Sequence, residues 1–381
     1  RLFAMAFDID FTICVIVMAV LTGIYVIAGG YMATAINDFI QGIIMLFGIC
    51  AVIAAVLQSK GGFTEAMHSL AEVQDPEATT MNGAFASFLG PDPLNLLGVV
   101  VLTSLGTWGL PQMVQKFYAI NSENAIKKGT IISTLFAVVV SGGCYFLGGF
   151  GRLFSDQVDV VANGFDSIIP TMLSGLSDAL IGLVVLLVLS ASMSTLSSLV
   201  IASSSTLTLD FINKNFIKDM SEKTQVRMIR VLIVVFILIS VVIALIQYNS
   251  SVTFIAQLMG ISWGALAGSF LGPLIYGLYW KKTTKSGCWA SFIFGAGTMI
   301  LVMLCPQIFP AVLQSPINAG AFAMIASLIL VPVVSLLTPK PSDKLVDECF
   351  RCYEAPATVA SKVALPDEEE LEKHEKKQSK K

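Results

Sequence analysis

The sequence predicts an all-α membrane protein, a bundle of about nine transmembrane helices. Three observations predict it. Apolar residues make up 55% of the 381 residues and charged residues only 13%, about half the ~25% that a soluble globular domain carries. The mean hydropathy is +0.79. The apolar excess is also gathered into blocks, among them 39–57, 181–189, 231–246 and 324–337. Mostly apolar stretches of about 18 or more residues match the ~30 Å hydrocarbon core of a bilayer. No water is present there, so each stretch satisfies its own backbone as a helix.

Taken in order, the spans fall at 8–28, 31–57, 94–118, 130–150, 178–205, 227–247, 253–279, 286–305 and 319–338. The intervening loops alternate in charge. Residues 58–93 hold Glu65, Glu72, Asp75, Glu77 and Asp92 with one lysine, and residues 151–177 hold Asp156, Asp159 and Asp166 with one arginine. The opposite loops carry Lys127 and Lys128, then Lys214, Lys218, Lys223, Arg227 and Arg230, then Lys281, Lys282 and Lys285. Lysine and arginine mark the cytoplasmic side. A multi-pass plasma-membrane protein with a cytoplasmic carboxyl-terminal tail is therefore expected. The first segment has no cleavage site and reads as a span rather than a secretory signal. With Arg1 in first place, the chain is expected to start partway through a longer protein.

Two regions are expected: a transmembrane region over 1–339 and a charged tail over 340–381. The tail ends in a dense mix of lysine and glutamate with few apolar residues, which favours a solvated, disordered segment. Of the seven cysteines, Cys14, Cys50, Cys144, Cys288 and Cys305 lie in or beside apolar stretches and read as small core residues. Cys349 and Cys352 form a lone CxxC with only His374 nearby, short of the four ligands of a structural metal site. No metal beyond a coupling ion is expected.

Polar groups inside a bilayer are costly, so function is sought among them. In span three, Gly106, Gly109 and Pro111 lie within six residues. Proline removes an N–H and glycine frees the backbone, which favours an interrupted helix. Such a break is tolerated where it is enclosed by protein or lines a cavity. Thr103, Ser104, Thr107, Trp108 and Gln112 surround it. An ordinary proline kink fits the same residues. In span five, Ala191, Ser194 and Thr195 stand at i, i+3 and i+4 and share a face. A slightly freed Ala191 carbonyl and the two hydroxyls could converge on a small hard cation, which prefers oxygen. Uncharged ligands suit a monovalent ion rather than calcium. Helix packing through small and hydroxyl residues is the other reading. Asp38, with Asn37 and Gln41, stands at the start of span two, facing either a watery cavity or the headgroups. Gly260, Gly264, Gly268 and Gly272 in span seven make a small-residue seam for close helix contact.

Four segments in order resemble the sodium:solute symporter family, over residues 8 to about 340. They are "GGYMATAINDFIQ" (29–41), "GTWGLPQMVQKFYA" (106–119), "SASMSTLSSLVIASSSTLTLDFI" (190–212) and "GPLIYGLYWKKTTKSG" (272–287). The resemblance implies a LeuT-type inverted-repeat bundle whose first repeat helices are broken. The spans here would be core helices four to ten plus two peripheral helices, with the first three core helices missing. It implies sodium as the coupling ion, held by the Ala191 carbonyl and the Ser194 and Thr195 hydroxyls, with no other cofactor. Asp38 matches an aspartate on the ion pathway. Thr103, Thr107, Trp108 and Gln112 would line the solute pocket beside the break at Gly106, Gly109 and Pro111. Proline transporters carry aromatic residues where this chain has Thr103 and Thr107, so "LGTWGLPQ" looks nearer to the pantothenate and monocarboxylate branches.

The expected function is sodium-coupled symport of a small carboxylate or amino-acid-like solute by alternating access. The partners expected are that solute, Na⁺ and the bilayer, and no nucleic acid; the sequence leaves the oligomeric state open. A proton-coupled transporter of the same fold is one alternative, and it calls for a buried carboxylate near Ser194. A transporter-like membrane sensor is another, although the tail is short for a signalling domain. An enzyme is not expected: the histidines are His68, in an outer loop, and His374, and neither HExxH nor a serine–histidine pairing exists.

Overall fold

The computed structural model describes residues 2–7, 9–75, 79–117, 120, 122–158, 164–218, 220–250 and 255–353. Most of these residues are helical, with no strand among them. Eight helical stretches are long and apolar enough to cross a membrane: Phe11–Gly29, Ala35–Ser59, Asn124–Gln157, Asp178–Asn215, Glu222–Tyr248, Ile255–Tyr279, Lys285–Leu304 and Pro316–Leu337. The ninth expected span, 94–118, is divided into two shorter helices.

The chain opens with α1 (Leu2–Phe7) and α2 (Phe11–Ser59). The Asp10 carboxylate starts α2 by accepting from the Thr12 amide at 2.8 Å, and the Thr12 hydroxyl first, then that amide, hold its carboxyl below the usual range. Helical backbone continues through all 49 residues of α2, where the sequence suggested two separate spans. Its axis, however, is bent. Asn37 Nδ2 donates to the Tyr25 hydroxyl at 3.2 Å, although twelve residues of straight helix would separate them by ~18 Å. The bend lies between Tyr25 and Asn37. With no proline there, helical turns carry on around the bend.

α3 (Phe63–Glu72) follows, on the side of the acidic loops. Arg152 ties two of those loops together through Asp75 at 2.6 Å and lies 4.7 Å above the Phe85 ring. α4 (Pro93–Gly106) and α5 (Pro111–Phe117) are the divided span. α6 (Glu123–Phe136) passes through a π turn at Ala137–Ser141 into α7 (Gly142–Gly149). After the short α8 (Ile168–Ser174) comes α9 (Asp178–Ser205), extended by a π segment at Thr206–Ile212.

α10 (Glu222–Ser250), α11 (Ile255–Tyr279), α12 (Lys285–Leu304) and α13 (Pro316–Leu337) complete the spans. The tail was expected to be disordered from residue 340, yet α14 (Asp343–Phe350) and a turn at Arg351–Tyr353 are helical. The Phe350 ring lies 5.6 Å from the Lys281 ammonium, a cation–π contact that gives this segment a partner. Residues 354–381, with His374, lie outside the described residues.

Two packed groups result. In the first, α11, α12 and α13 close on a glycine seam. A Cβ at Gly260 would stand 2.9 Å from the Ile317 amide, one at Gly264 2.6 Å from the Gly320 Cα, and one at Gly268 2.8 Å from the Ala323 Cβ. Lipid tails are as apolar as leucine, so close packing and hydrogen bonds hold such helices together. Both internal prolines are part of that bonding. Pro273 cannot donate to the Ser269 carbonyl one turn back, and the Ser291 hydroxyl donates to it instead, at 3.0 Å. Pro332 likewise leaves the Leu328 carbonyl, which accepts from the Tyr276 hydroxyl at 2.9 Å. The second group is α2, α9 and α10. Val26, Val200, Ile233 and Ile237 fill one end, while Ile49, Val52, Val56 and Val184 fill the other.

Candidate functional site

The divided span explains itself locally. Proline pushes the residue before it out of the α region, and Leu110 is extended, at φ −88° and ψ 115°. Thr107–Gly109 makes a single 3₁₀ turn between α4 and that residue. Gly109 lets this turn rest on α11, where a Cβ would stand 2.7 Å from the Ala267 Cβ and 2.8 Å from its Cα. Leu110 is buried, at 1% exposure. Thr103 and Thr107 turn their hydroxyls back onto their own helix, to the Val99 carbonyl at 2.8 Å and the Ser104 carbonyl at 3.1 Å. Gln112 is half-buried, and Trp108 is 64% exposed.

α4 packs on α11 and α13, whereas α5 lies against α9. The break therefore joins the two helix groups, with its second half beside the serine-rich helix. In α9 the Ser197 hydroxyl donates to the Ser194 carbonyl at 3.0 Å, and Ser204 and Ser205 bond back in the same way. Among the described residues the Ser194 and Thr195 hydroxyls donate to no neighbour. Ala191 and Ser194 are half-buried and Thr195 is exposed. α9 runs unbroken through this stretch. The Ala191 carbonyl is thus not freed as expected, and only its second lone pair is available to an ion.

The second arm of α2 adds what the sequence could not place. A Cβ at Gly48 would meet Leu187, and Val52 and Val56 share a core with Val184, so this arm and α9 run antiparallel. Seven residues back along α2 and seven forward along α9 is two turns on each helix, which keeps the facing sides. That brings Gln41 level with Ser194, and three more residues bring Asp38 level with Ser197. Gln41 is 7% exposed and Ser197 0%, and the Gln41 Oε1 is buried without a hydrogen-bond partner. Helix periodicity alone thus sets Asp38, Gln41, Ser194 and Ser197 on facing sides, between the two apolar ends of the α2–α9 contact. The signal in the sequence was the shared face of Asp38 and Gln41; its partner lies some 150 positions away.

Known proteins match this chain and its fold. The sodium:solute symporter family model matches residues 1–295. A "Sodium/proline symporter" of Staphylococcus aureus is 27% identical over 349 residues, which cover 90% of this chain and 65% of that protein. The protein of the same name from Staphylococcus aureus strain Newman matches with the same identity and coverage. This chain therefore spans about two-thirds of the length of these curated relatives. Among solved structures, the substrate-bound, outward-open state of a Na⁺-coupled sialic acid symporter superposes with a TM-score of 0.64. The match is at 16% identity and covers 88% of this chain and 69% of that one. The fold is LeuT-type.

Proposed function

Because this chain belongs to the sodium:solute symporter family, a family of transporters rather than enzymes, we propose that it serves sodium-coupled symport of a small organic solute across the plasma membrane. The observation that carries this reading is a helix interrupted at Thr107–Leu110, whose second half packs on a helix with hydroxyls left without acceptors. Discontinuous helices at mid-membrane form the solute and ion sites of secondary transporters.

In this reading the Ala191 carbonyl and the Ser194 and Thr195 hydroxyls hold one sodium ion. The ion leaves past Asp38 toward the side of the lysine-rich loops, where the tail also lies. Thr103, Thr107, Trp108 and Gln112 line the solute pocket at the break formed by Gly106, Gly109 and Pro111. The two helix groups, bridged through α4 and α5, suit a rocking motion of one group against the other. One charge moving through 100 mV supplies about 2.3 kcal/mol, and a tenfold sodium gradient adds about 1.4. One ion could then concentrate a neutral solute several-hundredfold. The solute is a carboxylate or amino-acid-like molecule. The relatives' name favours proline, while Thr103 and Thr107 favour pantothenate or a monocarboxylate.

One observation favours a second reading, proton coupling. A carboxylate near Ser194 was its requirement, and Asp38 stands level with Ser197, one turn away. The experiment is uptake of labelled proline, pantothenate and pyruvate into proteoliposomes holding the full-length protein. An inward sodium gradient should raise uptake of one of them at least tenfold, and Ser194→Ala with Thr195→Ala should abolish that rise. Uptake that follows a pH gradient and ignores sodium would replace sodium coupling with the second reading.

A further inference from the structure

A second cavity lies away from the divided span, in the outer face of the glycine-seamed group. It encloses about 280 Å³ between α11 and α12, lined by Ser269, Phe270, Pro273, Lys285, Cys288, Trp289 and Phe292. Pockets for drug-sized solutes run ~300–1,000 Å³ and carry several convergent polar groups. This one is smaller and nearly all apolar. The Ser269 hydroxyl already donates to the Ala265 carbonyl at 2.6 Å. Phe292 stacks edge-on against both Phe270 and Trp289, at 5.7 and 5.6 Å, which fixes the walls. Trp289 is half-exposed on the outside of the bundle.

The one cation in the lining is Lys285, at the start of α12. It is exposed and forms no ion pair with a described residue. Lys281, one turn earlier in the chain, is engaged with the Phe350 ring. Trp280 and the three lysines of this turn mark the membrane–water interface. The Lys285 side chain thus lines an apolar crevice at headgroup depth. Basic crevices between membrane helices suit anionic headgroups, whose chains lie along the apolar wall.

We propose that this crevice binds an anionic phospholipid of the lysine-rich side of the membrane, with the phosphate on Lys285 and a length of acyl chain against Pro273, Cys288 and Phe292. A soluble anion would find one charged group in an otherwise nearly apolar lining, and a zwitterionic lipid would gain little from the charge.

Cys288, half-buried in the lining, provides the measurement. The full chain in mild detergent is alkylated with N-ethylmaleimide, and the rate at each cysteine is read by peptide mass. Dioleoylphosphatidylglycerol should slow alkylation of Cys288 about fivefold more than dioleoylphosphatidylcholine does. Cys349 and Cys352, exposed in the tail segment, should be unaffected. Lys285→Gln should erase the difference between the lipids, while Lys285→Arg and Lys282→Gln keep it. Equal slowing by both lipids, no slowing by either, slowing by inorganic phosphate alone, or a difference that survives Lys285→Gln would overturn the proposal. If Lys285→Gln fails to fold, the comparison of the two lipids on the wild-type chain and on Lys285→Arg still decides.

Discussion

Gly109 is the point at which the divided span rests on its neighbour, and Gly109→Ala tests whether that contact sets the break. The added methyl would stand 2.7 Å from the Ala267 Cβ and 2.8 Å from its Cα. Carbon pairs prefer ~3.5–4.0 Å, so about 1 Å has to be found twice. One of the two atoms is backbone, and α11 is pinned to α13 along the glycine seam. The 3₁₀ turn is therefore the part that moves. Overpacking of this kind costs typically 1–3 kcal/mol, and a shift near 1 Å exceeds the ~0.5 Å within which a binding constellation has to be held. Equilibrium unfolding of the purified protein in mixed micelles, followed by tryptophan fluorescence, should show a loss of about 2 kcal/mol. Sodium-driven uptake should fall at least tenfold. Gly182→Ala is the control, because a Cβ there meets nothing within 4 Å, and it should be neutral or stabilising by up to ~1 kcal/mol. Ala267→Gly removes the 2.7 Å contact but not the 2.8 Å one. In combination with Gly109→Ala it should recover part of the loss, with a coupling energy above ~0.5 kcal/mol. Gly109→Ala behaving like Gly182→Ala, or a coupling near zero, would refute the argument.

Two further outcomes are expected. Tyr276→Phe leaves the Leu328 carbonyl without its partner and should cost about 1–3 kcal/mol in the same unfolding assay; adding Pro332→Ala restores an N–H to that carbonyl and should return most of the loss, and two independent, additive losses would show that the hydroxyl does not replace the proline's missing donor. Gln41→Leu removes a buried, unpartnered oxygen and should raise stability by ~1 kcal/mol while lowering sodium-driven uptake; unchanged uptake would remove Gln41 from the ion path.

The sequence showed most of the architecture because a bilayer imposes its rule locally. A run such as 231–246 has only one way to satisfy its backbone in hydrocarbon, so α10 was legible residue by residue. The break at Gly106–Pro111 was legible for the same reason, since Leu110 has little choice before a proline. The bend within α2 was read as a gap between helices, because hydropathy reports the polar junction at 34–41 but not how the backbone passes it. What stayed hidden is what other helices decide. No local pattern ties Pro332 to Tyr276 or Gln41 to Ser194. The small-residue seam of α11 was legible as a seam, but not which helices it would meet.

The serines make the underlying distinction visible. Ser269, Ser291 and Ser327 sit in the glycine-seamed group, and each is tied: Ser269 to Ala265, and Ser291 to the Ser269 carbonyl and, at 2.8 Å, to the Ser327 hydroxyl. Gly272 donates its amide to Ser327 at 2.9 Å. These hydroxyls act as fasteners, and each proton has an acceptor. In the α2–α9 group Ser197, Ser204 and Ser205 are tied as well, each to its own helix, but other polar groups are not. Ser194 and Thr195 donate to nothing described, and the Gln41 Oε1 and the fully buried Thr22 hydroxyl have no partner. A polar atom left unpaired at membrane depth costs several kcal/mol, which packing alone has no reason to bear. The first group holds one such atom as well, the Asn318 Oδ1, beside its tied serines. Under the sodium-coupled reading proposed above, the oxygens of the second group serve a guest that supplies the missing positive charge, and a monovalent cation would do so without asking any of them for a proton.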